Sequence, residues 1–256
     1  MMRTPRLYAP PPLTSGSEIL PDPESTHYLR HVLRLADDHP VILFDGLGHE
    51  YDARIRTPSK GRTGLAVGTV RQQVERESGL KVWLYLSLAR STKMDWIIEK
   101  ATELGVAGIQ PVTTHRSAVP ARQERQDARL RHWNALARSA CAQCGRSWVP
   151  PCHPPLTWPA FLHLPTQPGA RFVLTPDAPH GFGLGPIRGQ SVHLLVGPEG
   201  GFEEKELGAV LDLGYEPVRL GPRILRSETA PLAALAVLQA LWGDLNDPPT
   251  PRPEPA

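Results

Sequence analysis

The segment LLVGPEGGFEEKEL, residues 194–207, combines residue types that can bind a ligand. Its apolar run stops at Gly197, and a proline, Glu199 and two more glycines follow within the next four residues. Glycine is used where φ must be positive or where another group approaches the backbone closely. A tight turn alone needs one or two glycines, so three of them favour a loop shaped around a ligand, with a plain turn as the alternative.

A second segment, LGPRILRSETAP at residues 220–231, carries groups that chemistry at such a loop would use. Arg226 and Glu228 offer a cation and a carboxylate, and a surface ion pair between them is the alternative interpretation. Ser227 and Thr229 immediately precede an apolar helical pattern. Either residue can cap that helix, and a capping role is compatible with ligand contact.

Predicted strands precede both segments and a third loop, LTPDA, which begins at Leu174. The runs RFVL, SVHLLV and YEPVRLG indicate short strands, and helical patterns follow the second and third of them. In open α/β sheets, ligands bind beyond the carboxyl ends of the strands. We therefore expect the three loops to line one pocket. The helix that follows Gly201 would present free N–H groups to a polar or anionic ligand.

The sequence lacks the motifs of several other ligand classes. It contains no Walker lysine motif, no G-x-G-x-x-G, no H-E-x-x-H and no G-x-S-x-G. Cys141, Cys144, Cys152 and His153 could supply zinc ligands, but the adjacency of the last two is poor spacing for a tetrahedral site. We therefore expect no metal. Three cysteines also argue against a framework of disulfides.

Residues 1–72 have a mostly β pattern. A strand at 41–44, an Asp45-Gly46 turn and a second strand near 51–55 predict a hairpin. The stretch STHYLRHVLRL before it predicts a short amphipathic helix with Tyr28, Val32 and Leu35 on one face and with Ser25 or Thr26 as its cap.

Strands and helices alternate over residues 73–245. The strands KVWLYLSLA and AGIQPVTT flank a helix, KMDWIIEKATELGV, that stops at Gly105, and a long helix, RQDARLRHWNALARSACAQC, stops at Gly145. This alternation predicts an α/β domain with a largely parallel sheet. The proline-rich residues 246–256 predict a disordered tail.

Composition limits the class of protein. The formal charge of the 256 residues is +2, which neither requires nor excludes a nucleic-acid partner. Only five of the 28 cations are lysine. Arginine suits phosphate recognition, although codon usage explains the same bias. No run of about 18 apolar residues indicates a membrane span, and the start lacks the apolar core of a secretory signal. The sequence thus predicts a cytoplasmic protein.

The two glycine-rich segments resemble the 16S ribosomal RNA uridine N3-methyltransferase family of the SPOUT superfamily. KMDWIIEKATELGV resembles the lysine, helix and Glu-Leu-Gly stretch of that family, and HYLRHVLRL with VILFDGLGHEYDARI resembles its N-terminal PUA-like domain. Two positions depart from the pattern: His115 replaces a glutamate in HRSAV, and Cys144 replaces a serine in ACAQCGR. The resemblance covers residues 3–243.

The resemblance implies a fold and a cofactor that periodicity alone does not give. It implies an α/β domain with a SPOUT-type parallel sheet and a C-terminal trefoil knot, a small N-terminal PUA-like β-barrel domain, and a homodimer. It also implies that S-adenosylmethionine binds in the knot loops. The residues implied to bind it are Leu174, Gly197, Glu199, Gly201, Leu220, Gly221, Leu225, Arg226, Thr229 and Ala230.

The implied reaction is methyl transfer from a sulfonium to N3 of a uridine in the 16S RNA of the small ribosomal subunit. Glu228 is the candidate base, and Arg226 or Arg146 would stabilise charge on a uracil carbonyl. Gln143 would hydrogen-bond the uracil ring of the target nucleotide. Arg3, Arg6, Arg30 and Arg34 are the candidate RNA contacts of the β domain, and Lys93 and Arg116 are those implied by the resemblance.

Two other functions remain open at this level. A non-catalytic RNA-binding protein could keep the same fold, although intact glycine loops argue against it. A small-molecule enzyme with a nucleotide cofactor could use the β domain for oligomerisation. Binding of S-adenosylmethionine separates the first alternative from a methyltransferase, and methyl acceptance by RNA separates the second.

Overall fold

The computed structural model describes residues 4–57, 63–71, 76–117, 126–165, 167–183, 185–187 and 189–248. These residues form two compact units. The N-terminal unit runs to residue 77 and also includes 141–149, and the C-terminal unit contains 78–140 and 150–248. The predicted single boundary at residue 72 differs from this division, because the segment 141–149 returns to the first unit, where Trp148 forms β-bridges with Gly46 and Leu47.

The N-terminal unit contains a five-stranded sheet. Its strands are β1 (Arg6–Tyr8), β2 (Glu18–Ile19), β3 (Pro40–Phe44), β4 (Glu50–Arg56) and β5 (Gly64–Val70). The spatial order is β1-β3-β4-β5-β2, with β1 parallel to β3 and the other neighbours antiparallel. The predicted hairpin is confirmed as β3 and β4, with Gly46 in its turn at a φ of 77°.

The predicted helix before this hairpin has a different geometry. Helix α1 (Pro23–His27) continues into a π-helical turn, Tyr28–Val32. The side chain of Asp22 caps the helix by accepting from the backbone N–H of Ser25, so the predicted caps are wrong. Of the predicted apolar face, Leu35 is buried, whereas the π-turn leaves Tyr28 and Val32 exposed and directs Leu29 into the core instead.

The C-terminal unit contains a six-stranded sheet with helices. Its elements are β6 (Lys81–Ser87), α2 (Ser91–Glu103), β7 (Val106–Thr113), α3 (Gln126–Cys144), β8 (Leu156–Thr157), α4 (Trp158–Leu162), β9 (Ala170–Leu174), β10 (Ser191–Val196), α5 (Glu204–Asp212), β11 (Glu216–Val218) and α6 (Thr229–Trp242). The final residues of α3 belong to the N-terminal unit. The prediction missed β8 and α4, which lie in the proline-rich connection.

Every neighbouring pair in the order β11-β9-β10-β6-β7-β8 is parallel. The predicted parallel sheet is therefore confirmed. Residues 192–196 of the central strand β10 are all buried, as expected for a strand covered on both faces. Because the strands run the same way, Leu174, Val196 and Val218 end at one edge of the sheet. The three loops predicted to act together begin at that edge.

The three cysteines are free thiols. Burial raises the pKa of Cys141 and of Cys152 to about 12, so neither thiol ionises near neutral pH. Within the described ranges, no three His, Cys, Asp or Glu side chains are grouped so that they could hold a metal ion. None of the helices in those ranges is long and apolar enough to cross a membrane.

Candidate functional site

The loop after β10, residues 197–201, is called the glycine loop below, and its glycines have distinct structural roles. Gly201 has a φ of 70° and donates to Pro198 O at 2.9 Å, which closes a turn in a conformation that most side chains avoid. A Cβ on Gly197 would lie 2.8 Å from Cε2 of Phe202. The sequence thus uses glycine here for a turn and for close packing.

Helix α5 begins directly after this loop and carries a capping box. Glu203 is the N-cap residue, and the carboxylate of Glu206 accepts from the backbone N–H of Glu203 at 3.0 Å. The same carboxylate accepts from the backbone N–H of His115 at 2.9 Å, and the His115 ring lies 2.9 Å from Glu203. His115, one of the two departures from the family pattern, therefore connects the segment after β7 to the start of α5.

Arg116 holds the glycine loop from the same side. Its guanidinium donates to Gly200 O at 2.7 Å, and a Cβ on Gly200 would lie 3.2 Å from the Arg116 side chain. The side chain is exposed beyond this contact. An RNA contact by Arg116 stays a prediction, and its observed partner is the backbone of the glycine loop.

The four residues Lys93, Glu199, Ser227 and Glu228 form what we call the lysine cluster. Lys93 Nζ lies 2.8 Å from Glu199 Oε1, 2.9 Å from Glu228 Oε2 and 3.1 Å from Ser227 Oγ. Ser227 Oγ lies 2.9 Å from Glu199 Oε1 and 3.1 Å from Glu228 Oε2. The cluster joins the first turn of α2, the glycine loop and the segment before α6.

These contacts favour the charged form of each ionisable member. The hydrogen bond from Lys93 lowers the pKa of Glu228 and that of Glu199, and the hydrogen bonds to Glu199 and Glu228 raise the pKa of Lys93. Both carboxylates are thus ionised at neutral pH. A carboxylate with a lowered pKa is also a weaker proton acceptor, which limits Glu228 as a base.

The segment 219–230 places the remaining residues predicted to bind a cofactor. Leu220 and Leu225 are half-buried, as is Leu174, and Gly221 has a φ of 71°. The backbone N–H groups of Thr229 and Ala230 both donate to the carbonyl of Arg226 at 2.9 Å.

The start of α6 lacks the predicted side-chain cap. Glu228 is its N-cap residue and makes no capping hydrogen bond, so the caps predicted at Ser227 and Thr229 are wrong. The Ser227 hydroxyl is used in the lysine cluster instead. The loop after β9 is tied to the end of β11, because Thr175 N donates to Val218 O and Arg219 N donates to His180 O.

Two family models and a curated relative match most of this chain in sequence. A family model described as an RNA methyltransferase domain matches residues 76–239, and a model described as an RNA methyltransferase PUA domain matches residues 20–62. Ribosomal RNA small subunit methyltransferase E of Synechocystis is 34% identical over 220 residues, which cover 84% of this chain and 70% of that protein. The chain belongs to this methyltransferase family.

Solved structures extend the similarity to most of the chain. The ribosomal RNA small subunit methyltransferase E of Neisseria gonorrhoeae, crystallised with S-adenosylmethionine, is 34% identical, has a TM-score of 0.87 and matches 95% of this chain and 100% of its own. A methyltransferase of Legionella pneumophila, also solved with this cofactor, is 33% identical with the same TM-score and coverage. The predicted family and the predicted enzyme class are confirmed.

The N-terminal unit of this methyltransferase, called the PUA unit below, buries two of the predicted functional arginines. The Arg6 side chain is 2% exposed, pairs with Glu50, and donates to Arg146 O at 3.0 Å and to Ser147 Oγ at 3.2 Å. Because its guanidinium is enclosed in this unit, the structure argues against the predicted RNA contact of Arg6, which stays a prediction. Arg146 is buried as well, and its guanidinium lies 2.8 Å from Glu77.

The other predicted RNA contacts of the PUA unit differ in exposure. Arg3 lies outside the described residues. Arg30 is half-buried and donates to the Thr63 hydroxyl and to Leu35 O, whereas Arg34 is exposed with a φ of 53°. Of the three arginines that the structure describes, Arg34 is thus the best placed to contact a phosphate. Gln143 is exposed and lies in the same unit, as part of the returning segment 141–149.

Sequence reasoning missed a cluster of three hydroxyls at the ends of β6 and β7. The Oγ of Ser87, the Oγ1 of Thr114 and the Oγ of Ser117 lie 3.0 Å from one another, and Ser117 Oγ also accepts from Thr114 N at 2.8 Å. This network fixes the turn that presents His115 and Arg116. In the sequence, the serine of HRSAV was the one signal of this network. Ser87 gave none, because it is 30 residues away from Ser117.

Proposed function

We propose that this methyltransferase transfers a methyl group from S-adenosylmethionine to N3 of a uridine in the 16S RNA of the small ribosomal subunit. The observation that carries this proposal is the lysine cluster, which joins the glycine loop to the segment before α6 at the carboxyl edge of a parallel sheet. Relatives with the same fold bind S-adenosylmethionine or are named for ribosomal RNA of the small subunit.

The residues at this edge fit the cofactor. Among the residues that the structure describes, and apart from its two chain neighbours, no atom lies within 4 Å of the Cβ position of Gly201, so a ligand can approach the backbone of the glycine loop. The half-buried side chains of Leu174, Leu220 and Leu225 supply apolar surface for the adenine and methionine portions. We propose that they act with Gly197, Glu199, Gly221, Arg226, Thr229 and Ala230 as the cofactor site.

When bound, S-adenosylmethionine supplies the activated methyl group, and the protein supplies binding, orientation and charge. Uridine N3 is protonated at neutral pH, and a protonated N3 has no in-plane lone pair with which to attack. The lowered pKa of Glu228 favours capture of the uridine anion over proton removal by this carboxylate. Arg226 is exposed next to the cluster and would stabilise the negative charge on a uracil carbonyl. Gln143 and Arg146 remain proposed contributors.

Three further properties belong to this proposal. A trefoil knot is proposed from the family resemblance, and the strand order, in which β11 pairs with β9 although β10 lies between them in the chain, is compatible with it. A homodimer is supported by exposed apolar side chains on two helices that pack together, Trp96 on α2 and Val237 on α6. A cytoplasmic location follows from the proposed ribosomal substrate.

The product and the glycine loop can be tested together. Digestion of RNA from small subunits treated with enzyme and cofactor should yield 3-methyluridine by mass spectrometry.

Gly201→Val should weaken cofactor binding about tenfold by calorimetry, because valine at a φ of 70° costs roughly 1–3 kcal/mol of strain. Gly208→Ala on α5, where a Cβ meets no atom within 4 Å, should bind normally. A different modified nucleoside, or full affinity in a folded Gly201→Val, would contradict the assignment.

RNA capture by the PUA unit predicts a defined salt effect. Arg34→Asn removes an exposed charge and suits the positive φ at this position, so it should preserve the fold. Loss of one phosphate contact should lower RNA affinity about 3- to 10-fold and reduce the slope of log affinity against log salt by about 1. Arg54→Asn is the control, because Arg54 is already paired with Asp38 at 3.1 Å. Equal salt slopes in both variants would exclude Arg34 as a contact.

A further inference from the structure

Lys93 uses every donor that it has inside the protein. An ammonium group carries three N–H donors. Three acceptors surround Lys93 Nζ: Glu199 Oε1 at 2.8 Å, Glu228 Oε2 at 2.9 Å and Ser227 Oγ at 3.1 Å. An RNA phosphate could bind Lys93 only by displacing one of them. These contacts therefore argue for a role within the protein rather than for the RNA contact that the sequence implies.

The two carboxylates need this cation in order to lie together. Glu199 and Glu228 both approach the Ser227 hydroxyl, at 2.9 and 3.1 Å, and one hydroxyl can donate to only one of them at a time. Two negative charges at such short range repel each other, and a cation between them offsets that repulsion. Removal of Lys93 would thus drive apart the glycine loop and the segment that carries Glu228.

The other charged groups in these segments have different positions. Arg116 contacts the backbone of the glycine loop at Gly200 O, and His115 contacts Glu203 at the start of α5. Arg90 precedes α2 and Arg226 precedes Ser227, and both are exposed. The observed contacts of Arg116 and His115 are on the loop backbone and on α5 rather than on Glu199 or Glu228. Of these charged side chains, Lys93 is therefore the one that is paired with both carboxylates, and the neutral Ser227 hydroxyl contacts them as well.

We propose that Lys93 is a positioning residue of the methyl-transfer site, whose ion pairs to Glu199 and Glu228 lock the glycine loop onto the segment 220–228. This inference rests on the proposed function in so far as the locked loops form the cofactor site. The locking itself is a property of the protein without cofactor, and it can be measured separately.

The test compares Lys93→Met with a matched control on the same helix. Lys100 also bridges two glutamates, Glu99 at 2.7 Å and Glu103 at 2.8 Å, with nearly the same exposure as Lys93, 28% against 31%. Lys100→Met removes an equivalent pair of contacts that joins no loops. Lys93→Arg preserves the charge and should behave like the wild type.

Amide hydrogen exchange of the cofactor-free protein is the first readout. In Lys93→Met, exchange of the peptides covering 197–202 and 221–228 should be about fivefold faster, as expected for loss of a partly exposed ion-pair network. Lys100→Met should leave both peptides unchanged. Unchanged exchange in Lys93→Met, or equal acceleration in both variants, would overturn the proposal.

Cofactor affinity and its pH dependence are the second readout. Lys93→Met should bind S-adenosylmethionine about fivefold more weakly at pH 8, and less so as the pH falls, because protonation of one glutamate relieves the repulsion between the two. A structural defect unrelated to charge would not improve on acidification. If the wild type fails to bind this cofactor while the exchange result holds, the proposed function fails and the locking stands. If the wild type binds it and exchange is unchanged in Lys93→Met, the locking fails.

Discussion

The rate of a single methylation turnover, with RNA and cofactor both saturating, is expected to rise about tenfold per unit of pH from roughly pH 6 to pH 8. Only a deprotonated uridine N3 has a lone pair free to attack the methyl group. The fraction of uridine in this anionic form grows tenfold per pH unit until the anion predominates. The hydrogen bond from Lys93 lowers the pKa of Glu228, so this carboxylate is already ionised across the range. The rise therefore reports the substrate and not the enzyme.

The measurement is quenched-flow methylation of a fixed RNA, with Glu228→Gln as the comparison. If the protein captures the uridine anion, Glu228→Gln should show the same slope, with a reduced rate that follows its effect on the lysine cluster. If Glu228 is instead the base, the wild-type profile would be flat above the lowered pKa, and Glu228→Gln would lose about 10²- to 10⁴-fold in rate. A flat profile would thus contradict anion capture and return Glu228 to the role of base.

Arg6→Met is expected to destabilise the N-terminal unit by about 3–5 kcal/mol, because it removes the buried cation of Glu50 and leaves that carboxylate with the longer contact to Arg71 Nε at 3.8 Å. Arg6 and Glu50 have side-chain exposures of 2% and 8%, and water cannot replace the lost charge there. Protection of the β3 and β4 amides against hydrogen exchange under native conditions reports this free energy directly.

Two comparison variants make the Arg6 result specific. Arg54→Met breaks an ion pair with Asp38 whose side chains are both more than half exposed, and it should cost less than about 1 kcal/mol. Replacing both buried partners, as in Arg6→Met with Glu50→Leu, should restore part of the lost stability, since no buried charge is then left unpaired. If Arg6→Met retains wild-type protection, the buried pair has no structural role and an RNA contact regains support.

The elements that local pattern controls were predictable from sequence. The Asp45-Gly46 turn between two apolar runs gave the β3–β4 hairpin, and the alternation of strands with helices gave the parallel sheet. The placement of the glycine loop at the carboxyl edge followed from the same alternation. In these cases the information lies within a few residues of the feature that it determines.

The features that were predicted wrongly or missed depend on residues far away in the chain. The burial of Arg6 requires Glu50 and Ser147, which are 44 and 141 residues away. Lys93 meets partners that are 106 and 134 residues away, Glu199 and Ser227. An arginine or a lysine considered alone predicts a solvated side chain or a phosphate contact, because the neighbouring sequence does not indicate that a distant carboxylate will pair with it. The π-turn after α1 was missed because the prediction assumed regular helical spacing, whereas the observed turn buries Leu29 and exposes Tyr28 and Val32.

The return of residues 141–149 to the N-terminal unit limits how this protein can be recombined. A gene fragment that ends at residue 77 would encode Gly46 and Leu47 without the Trp148 that bridges them, and Arg6 without its acceptors in that segment. The PUA unit is therefore not a cassette that can be transplanted as one continuous piece. It is inherited together with the end of α3, so exchange of RNA-binding modules between relatives must carry two separate stretches of sequence at once.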